Sequence, residues 1–286
     1  MFVHARKIIL PAYRAGRTVV AFNTINAETT WAIARAASAV GAPTLFEISE
    51  KTITYLGLET VVALTRAISN DHSIRVPLAI HLDHGHSYEV CVAAVDAGFS
   101  SVMIDASAEA YAANVKLTRR VVAYAHRHGV LVQGELGALK PVTGKHLRAA
   151  QDLMTDPLQA RAYVAATKVD TLGVAVGTLH GPAKIFQKLP KIDFKRLAAI
   201  HSLVKVPLVL HGASGVPPAD LRRARSLGVA VVNIDTDLRL AYLQSLRREL
   251  AAQSKEYDPR VIFAPVVRAM QVTAERKLRS LARHLW

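Results

Sequence analysis

Eight short runs of β-branched and aliphatic residues, separated by helical patterns, constrain this chain more than any other feature. They are Thr18–Phe22 (TVVAF), Pro43–Ile48 (PTLFEI), Pro77–Leu82 (PLAIHL) and Ser101–Ile104 (SVMI) in the first half. Val130–Leu136 (VLVQGEL), Thr171–Val176 (TLGVAV), Pro207–Leu210 (PLVL) and Val229–Ile234 (VAVVNI) follow. Most are nearly continuous apolar runs, the pattern of parallel strands buried on both faces. Between them, Glu28–Val40 is an example of a helical stretch, with Trp31, Ile33, Ala34, Ala37 and Val40 at apolar positions and Gly41 as its stop. Eight such units in 286 residues predict an α/β fold, a single (β/α)8 TIM barrel, rather than a doubly wound sheet. No glycine-rich dinucleotide fingerprint follows the first strand. No linker or low-complexity stretch divides the chain, so residues 1–286 are expected to form one domain.

Polar residues gather at the strand ends. Asn23 ends the first run, Glu47 and Ser49 the second, Asp83 and His84 the third, and Asp105 the fourth. Glu135 closes the fifth, His180 lies just beyond the sixth, His211 ends the seventh, and Asn233 with Asp235 ends the eighth. In a barrel all of these meet on one face. Of the 12 histidines, His84, His180 and His211 are each followed by glycine, which lets backbone approach a ligand closely. Three neutral imidazoles with an open fourth position are the donor set of a catalytic zinc ion. His126 and His128 fit a basic helix end, His86 fits polar packing, and His81 alternates with His84 around Asp83. His4, His72, His201 and His284 stand isolated among surface residues.

A phosphate signature lies beside these. The turn His211-Gly212-Ala213-Ser214-Gly215 offers backbone N–H groups and a hydroxyl, and Asn233-Ile234-Asp235-Thr236 opens the last helical region opposite it. Loops after strands seven and eight, with a helix N-terminus, are the recurrent phosphate site of such barrels.

Charge narrows the partners only in part. Lys and Arg number 36 against 22 Asp and Glu, a formal net charge of +14. The excess concentrates in Lys184–Lys205 and in an arginine-rich tail containing RRE (Arg247–Glu249) and ERKLR (Glu275–Arg279). With Leu240, Leu243, Leu246 and Leu250 as apolar partners, these read as solvated faces of amphipathic helices. No aromatic residues interleave with them and no zinc-finger spacing occurs, so nucleic-acid binding is not expected. The lone Cys91 cannot form an internal disulfide, which points to a reducing cytoplasm. The N-terminal apolar run is interrupted by Pro11 and lacks a small-residue cleavage site, and no apolar stretch of about 18 residues occurs. Neither a signal peptide nor a membrane span is expected.

With these motifs in order, the sequence resembles class II, zinc-dependent ketose-bisphosphate aldolases, the fructose- and tagatose-bisphosphate enzymes. The residues carrying the resemblance are AFN (Ala21–Asn23), HLDHGHS (His81–Ser87), SVMIDAS (Ser101–Ser107) and GELG (Gly134–Gly137). GTLHG (Gly177–Gly181), LHGASG (Leu210–Gly215), NIDTD (Asn233–Asp237) and DPR (Asp258–Arg260) continue it. The resemblance implies His84, His180 and His211 as ligands of Zn²⁺, with Asp105 and Glu135 able to hold the metal in an alternate location. It implies Asp83 as the acid exchanging a proton with the substrate's C4 hydroxyl. Asn23, Ser49, Gly181, Gly212, Ala213 and Ser214, with Asn233, Ile234, Asp235 and Thr236, are implied as substrate contacts. A monovalent cation beside the zinc, cytoplasmic glycolytic chemistry and a homodimer or homotetramer are further implications. The substrates would be a phosphorylated ketose, by default fructose 1,6-bisphosphate, and its triose phosphates.

Two departures from the pattern stand out. Relatives carry a loop after the fifth strand whose glutamate moves a proton at the dihydroxyacetone-phosphate carbon. Here Thr143 falls at that position, too weak a base, and His146 is the candidate replacement in a loop made cationic by Lys140, Lys145 and Arg148. Glu47 stands where relatives usually have glutamine, adding a negative charge near the site unless it pairs. An altered phosphoketose such as tagatose 1,6-bisphosphate, or a catalytically weak phosphosugar-binding protein, are the alternative readings.

Overall fold

The strand runs close into one ring. A computed structural model describes residues 1–137, 154–179 and 191–282. Its strands are β1 (Val19–Asn23), β2 (Thr44–Ser49), β3 (Leu78–Gly85), β4 (Ser101–Ile104), β5 (Leu131–Leu136), β6 (Thr171–Val174), β7 (Leu208–Leu210) and β8 (Val229–Ile234). They form a closed barrel in sequence order, all pairs parallel, with β1 joined to β8. This is the (β/α)8 barrel that the sequence predicts, with strand ends shifted by up to three residues. The described helices on the outer wall include α2 (Ala27–Val40), α3 (Glu50–Leu56), α4 (Leu58–Ser69), α5 (Tyr88–Asp96) and α6 (Tyr111–Arg127). After them come α7 (Pro157–Thr167), α8 (Phe194–Leu203), α9 (Pro218–Arg225), α10 (Thr236–Ala252) and α11 (Pro259–Ala282). Among the described residues no helix is long and apolar enough to cross a membrane.

Alternation along each strand sorts the side chains into two cores. Outward residues such as Phe22, Phe46, Ile80 and Val132 pack under the helices with Ile33, Val61, Val121 and Leu197. Inward residues Val19, Leu45, Ala79, Leu131, Val209 and Val231 fill the barrel near the strand starts. The interior grows polar toward the strand ends, where Glu47, His81, Asp83, Gln133, Glu135, His211 and Asn233 are all buried. That gradient places chemistry at one mouth and packing at the other.

The packed mouth is sealed by an element absent from the sequence expectation. Helix α1 (Arg6–Arg14) contains Pro11 yet runs through it, and its Ala5, Ile8, Ile9 and Ala12 side join the inward core. Ala5 N–H donates to Ser100 Oγ at 2.9 Å, tying the plug to the start of β4. At the other wall, α2 begins with a capping box on Asn26 and stops at Gly41, which adopts φ +71°. It packs Ala32 against Val266 and Met270 of α11, with Tyr242 and Leu246 of α10 beside them. Helix α10 is less buried than its leucines suggest: Leu243 and Leu250 are exposed, because the inward face runs through Leu238, Tyr242, Ser245 and Leu246 instead.

Candidate active site

Strand ends from around the ring build the site. Consecutive strand residues normally face opposite sides, which would send His84 away from Asp83. The register of β3 against β4 shifts between Leu82 and Gly85, and His84 takes φ +50°, a value non-glycine residues rarely adopt. This bulge turns both side chains to the barrel mouth, with His84 Nε2 3.8 Å from Asp83 Oδ1. His211, the first residue after β7, brings its Nδ1 to 3.8 Å from the same oxygen. The two imidazole centroids are 4.6 Å apart.

Each member is oriented by a neighbour. Asn23 at the end of β1 donates from Nδ2 to Asp83 Oδ2 at 2.7 Å, which leaves Oδ1 facing the imidazoles. Asp105, one residue past β4, pairs with His84 Nδ1 at 2.7 Å and also accepts from Ser107 N–H. Burial alone would raise the Asp105 carboxyl, but the hydrogen bond and charge of His84, with Ser107, hold it below the usual carboxylate range. Burial alone would lower His84; the charge of Asp83 and the Asp105 hydrogen bond outweigh it and hold the imidazole at about 9. The ring nitrogens of His211 lie 2.7 Å from Gln133 Nε2 and 3.2 Å from Asn233 Nδ2.

Asp83, His84 and His211 each offer a donor atom within 4.8 Å of the others, a geometry suited to a metal ion. Two imidazoles and a carboxylate fit a zinc-like divalent ion better than magnesium or calcium, which favour all-oxygen sets. Asp83 Oδ1 and both Glu135 carboxyl oxygens are buried with no hydrogen-bond partner among the described residues, a costly arrangement that a cation would relieve. The residues present therefore fit the group. The cluster includes Asp83, the residue given a proton-transfer role by the resemblance, whereas His180 lies outside the described residues. Glu135 stands just beyond it, 3.8 Å from His211 Nε2, and burial followed by the charge of Asp105 pushes its carboxyl well above the usual range.

Support for Glu135 carries no local sequence signal. Tyr163 of α7, fully buried, donates to Asn114 Oδ1 at 2.9 Å, and Asn114 Nδ2 donates to the Glu135 carbonyl at 3.0 Å. A Cβ at Gly134 would collide with the Tyr163 ring, and one at Gly173, paired with Glu135 on β6, would overlap the Glu135 carboxyl. Both glycines are therefore spaces that these side chains fill. Below the cluster, His81 Nδ1 contacts Ser101 Oγ at 2.7 Å, and Glu47 Oε2 lies 3.9 Å from His81 Nε2. Burial lowers His81 to about 4, while burial and then Asp83 push Glu47 well above the ordinary carboxylate range. Burial and the nearby Asp83 thus disfavour the charged form of Glu47 in the interior layer.

The Gly212–Ser214 turn, expected from the sequence to bind phosphate, forms as a unit. Gly212 takes φ +65°, Ala213 N–H donates to the Asn233 carbonyl, and Ser214 Oγ accepts from the N–H groups of Asp235 and Asp237 at 3.2 and 3.4 Å. Ser214 thereby joins the β7 turn to the first turn of α10, where Thr236 is the leading residue and Asp235 pairs with Arg239. Ile234 is fully buried beneath them. Ser49 caps α3, accepting from Thr52 N–H, and its backbone lies in register with Asp83. His86 is exposed and pairs with Glu50, and His126 pairs with Asp170 at 2.8 Å, so neither belongs to the site. Thr143, His146, His180 and Gly181 lie outside the described residues.

Comparison with known proteins agrees with this geometry. Residues 3–284 match the family described as fructose-bisphosphate aldolase class-II. A fructose-bisphosphate aldolase of Geobacillus stearothermophilus is 39% identical over 282 residues, covering 97% of this chain and 96% of the relative. One from Thermus caldophilus is 40% identical over 302 residues, covering 97% of each. Among solved structures, the YdjI aldolase from Escherichia coli K12 superposes with a TM-score of 0.84 at 29% identity, covering 98% of this chain and 97% of that one. This chain belongs to the class II fructose-bisphosphate aldolase family.

Proposed function

We propose that the protein is a zinc-dependent lyase that reversibly cleaves the C3–C4 bond of fructose 1,6-bisphosphate, giving dihydroxyacetone phosphate and glyceraldehyde 3-phosphate. The observation that carries this reading is the convergence of Asp83, His84 and His211 at the mouth of the barrel, beside the Gly212–Ser214 turn. Zinc, when bound, supplies a Lewis acid that polarises the substrate's ketone and takes up the charge left by bond scission. His84 and His211, with His180, would hold it.

The chain's own groups do the rest. Asp83 takes the proton of the C4 hydroxyl as the C4 carbonyl forms and the C3–C4 electron pair moves to the ketone fragment; in the reverse direction it returns that proton. Asn23 fixes the carboxylate for this transfer by engaging Oδ2, and Oδ1 has no hydrogen-bond partner among the described residues. Proton delivery to C3 of the three-carbon product belongs to the loop after β5, with His146 as the candidate group. Gly212, Ala213 and Ser214, facing the N-terminus of α10 at Asp235 and Thr236, would receive the phosphate of the ketose half, with Gly181 and the Asn233–Ile234 strand end supporting them. Asn23 and Ser49 would face the aldehyde half.

The metal assignment is tested by dialysing the full chain against zinc and measuring bound metal. The unmodified protein should retain about one equivalent per chain, and His84→Gln and His211→Gln should each weaken affinity by about 10- to 100-fold or more. Undiminished zinc affinity in either variant removes that histidine from the ligand set.

A further inference from the structure

The aldolase reading leaves the arginine-rich tail without a purpose, and the outer wall shows one place where it acquires a shape. Between α9 and α11 lies an open groove of about 700 Å³, lined by Arg222 and Arg225 from α9 and by Arg276 and Arg279 from α11. Among the described residues, Glu275 is the single acidic group in that lining, and none of the catalytic-mouth residues contributes to it.

The charges in the groove are not internally balanced. Glu275 already accepts from Arg279 at 3.0 Å and from Gln271 Nε2 at 2.9 Å, with Arg268 4.0 Å away. Arg222 is steered into place by donating to the Ser280 carbonyl at 3.3 Å. Arg225 and Arg276 have no carboxylate within 4 Å among the described residues, although Arg225 is half-buried. Four guanidinium groups facing one glutamate across a concave surface create a local positive potential that a solvated helix face would disperse. Guanidinium groups bind phosphoryl oxygens through paired N–H donors, and two or three phosphates in a row would match donors arriving from two walls. One orthophosphate would engage only part of the set. The groove's volume is that of a small-molecule site, and exposed Val272 with buried Leu281 gives it an apolar edge.

We propose that this groove binds an oligophosphate chain, supplied either as an inorganic polyphosphate or as the triphosphate of a nucleotide. The site is separate from the substrate-phosphate turn and does not depend on the aldolase reading.

Calorimetric titration of the zinc-loaded full chain at 0.15 M salt tests it, using tripolyphosphate, ATP and orthophosphate as probes. The expected result is saturable tripolyphosphate binding, with orthophosphate at least about tenfold weaker. In Arg225→Gln/Arg276→Gln the affinity should fall by about tenfold or more, while fructose 1,6-bisphosphate cleavage stays unchanged. Heat from zinc chelation or from the substrate turn is common to both proteins, so the difference isolates the groove. ATP matching tripolyphosphate supports recognition of the phosphate chain alone, and tighter ATP binding adds a nucleoside contact at the apolar edge. Identical isotherms for wild type and variant overturn the proposal. So does an absence of tripolyphosphate binding accompanied by arginine-dependent binding of single-stranded RNA or anionic vesicles. Should the double variant fold poorly, the single exposed-site change Arg276→Gln carries the same comparison.

Discussion

Asp83 is held by one hydrogen bond from Asn23 and faces two imidazoles, so its role separates cleanly from packing. Replacing it by Ala should lower fructose 1,6-bisphosphate cleavage by roughly 10²- to 10⁴-fold in kcat, read from triose phosphate release; a rate within threefold of wild type contradicts proton transfer by this residue. Glu47 makes a pH prediction. Its folded-state carboxyl is raised by burial and then by Asp83, so folding takes up a proton there between the ordinary glutamate value of about 4.3 and the raised one. That contribution is fully present below the lower value and is lost as pH rises through the upper. In metal-free protein, urea unfolding at a series of pH values should show wild-type stability falling relative to Glu47→Gln as pH climbs from about 5. Parallel profiles refute the raised carboxyl. The histidines of the cluster were legible because strand-end position and a following glycine mark them. The raised carboxyl of Glu47 was not, since it depends on His81 and Asp83 of the neighbouring strand β3 and on the loss of water around all three.

At the scale of elements, strands β1 to β8 were readable because buried parallel strands leave continuous apolar runs. Helix α1 was hidden by Pro11, whose missing N–H ordinarily interrupts a helix of only nine residues. Its burial is tertiary: Ile8 and Ala12 gain their place only when the barrel interior exists to receive them. Ile8→Ala should therefore destabilise the whole fold by about 2–5 kcal/mol in equilibrium unfolding, the range for a large aliphatic lost from a sealed core. A change below about 0.5 kcal/mol would show that α1 is a detachable cap. The leucines of α10 teach the converse lesson. Four leucines at near-helical spacing suggested the buried face, yet Leu243 and Leu250 point outward because α2 and α11 meet the face marked by Tyr242 and Ser245.

Across the whole molecule, three features of one chain have to coincide: a closed parallel ring, a polar gradient rising to one mouth, and a bulge in β3 that turns two adjacent residues the same way. The first two follow from patterning along the strands. The bulge does not, and without it Asp83 and His84 could not both enter the site. The bracing of Glu135 through Asn114 and Tyr163 was equally invisible, because it joins helices α6 and α7 to β5 across a long stretch of chain. Metal dependence is the property that ties this assembly to its proposed chemistry. The most direct measurement is a coupled assay of fructose 1,6-bisphosphate cleavage by the purified full chain, run with bound metal, after EDTA treatment, and after zinc is restored. Triose phosphate formation that disappears with the chelator and returns with zinc is the predicted result. Cleavage that persists at the same rate in metal-free protein, or none at all in protein that binds zinc tightly through His84 and His211, would contradict it.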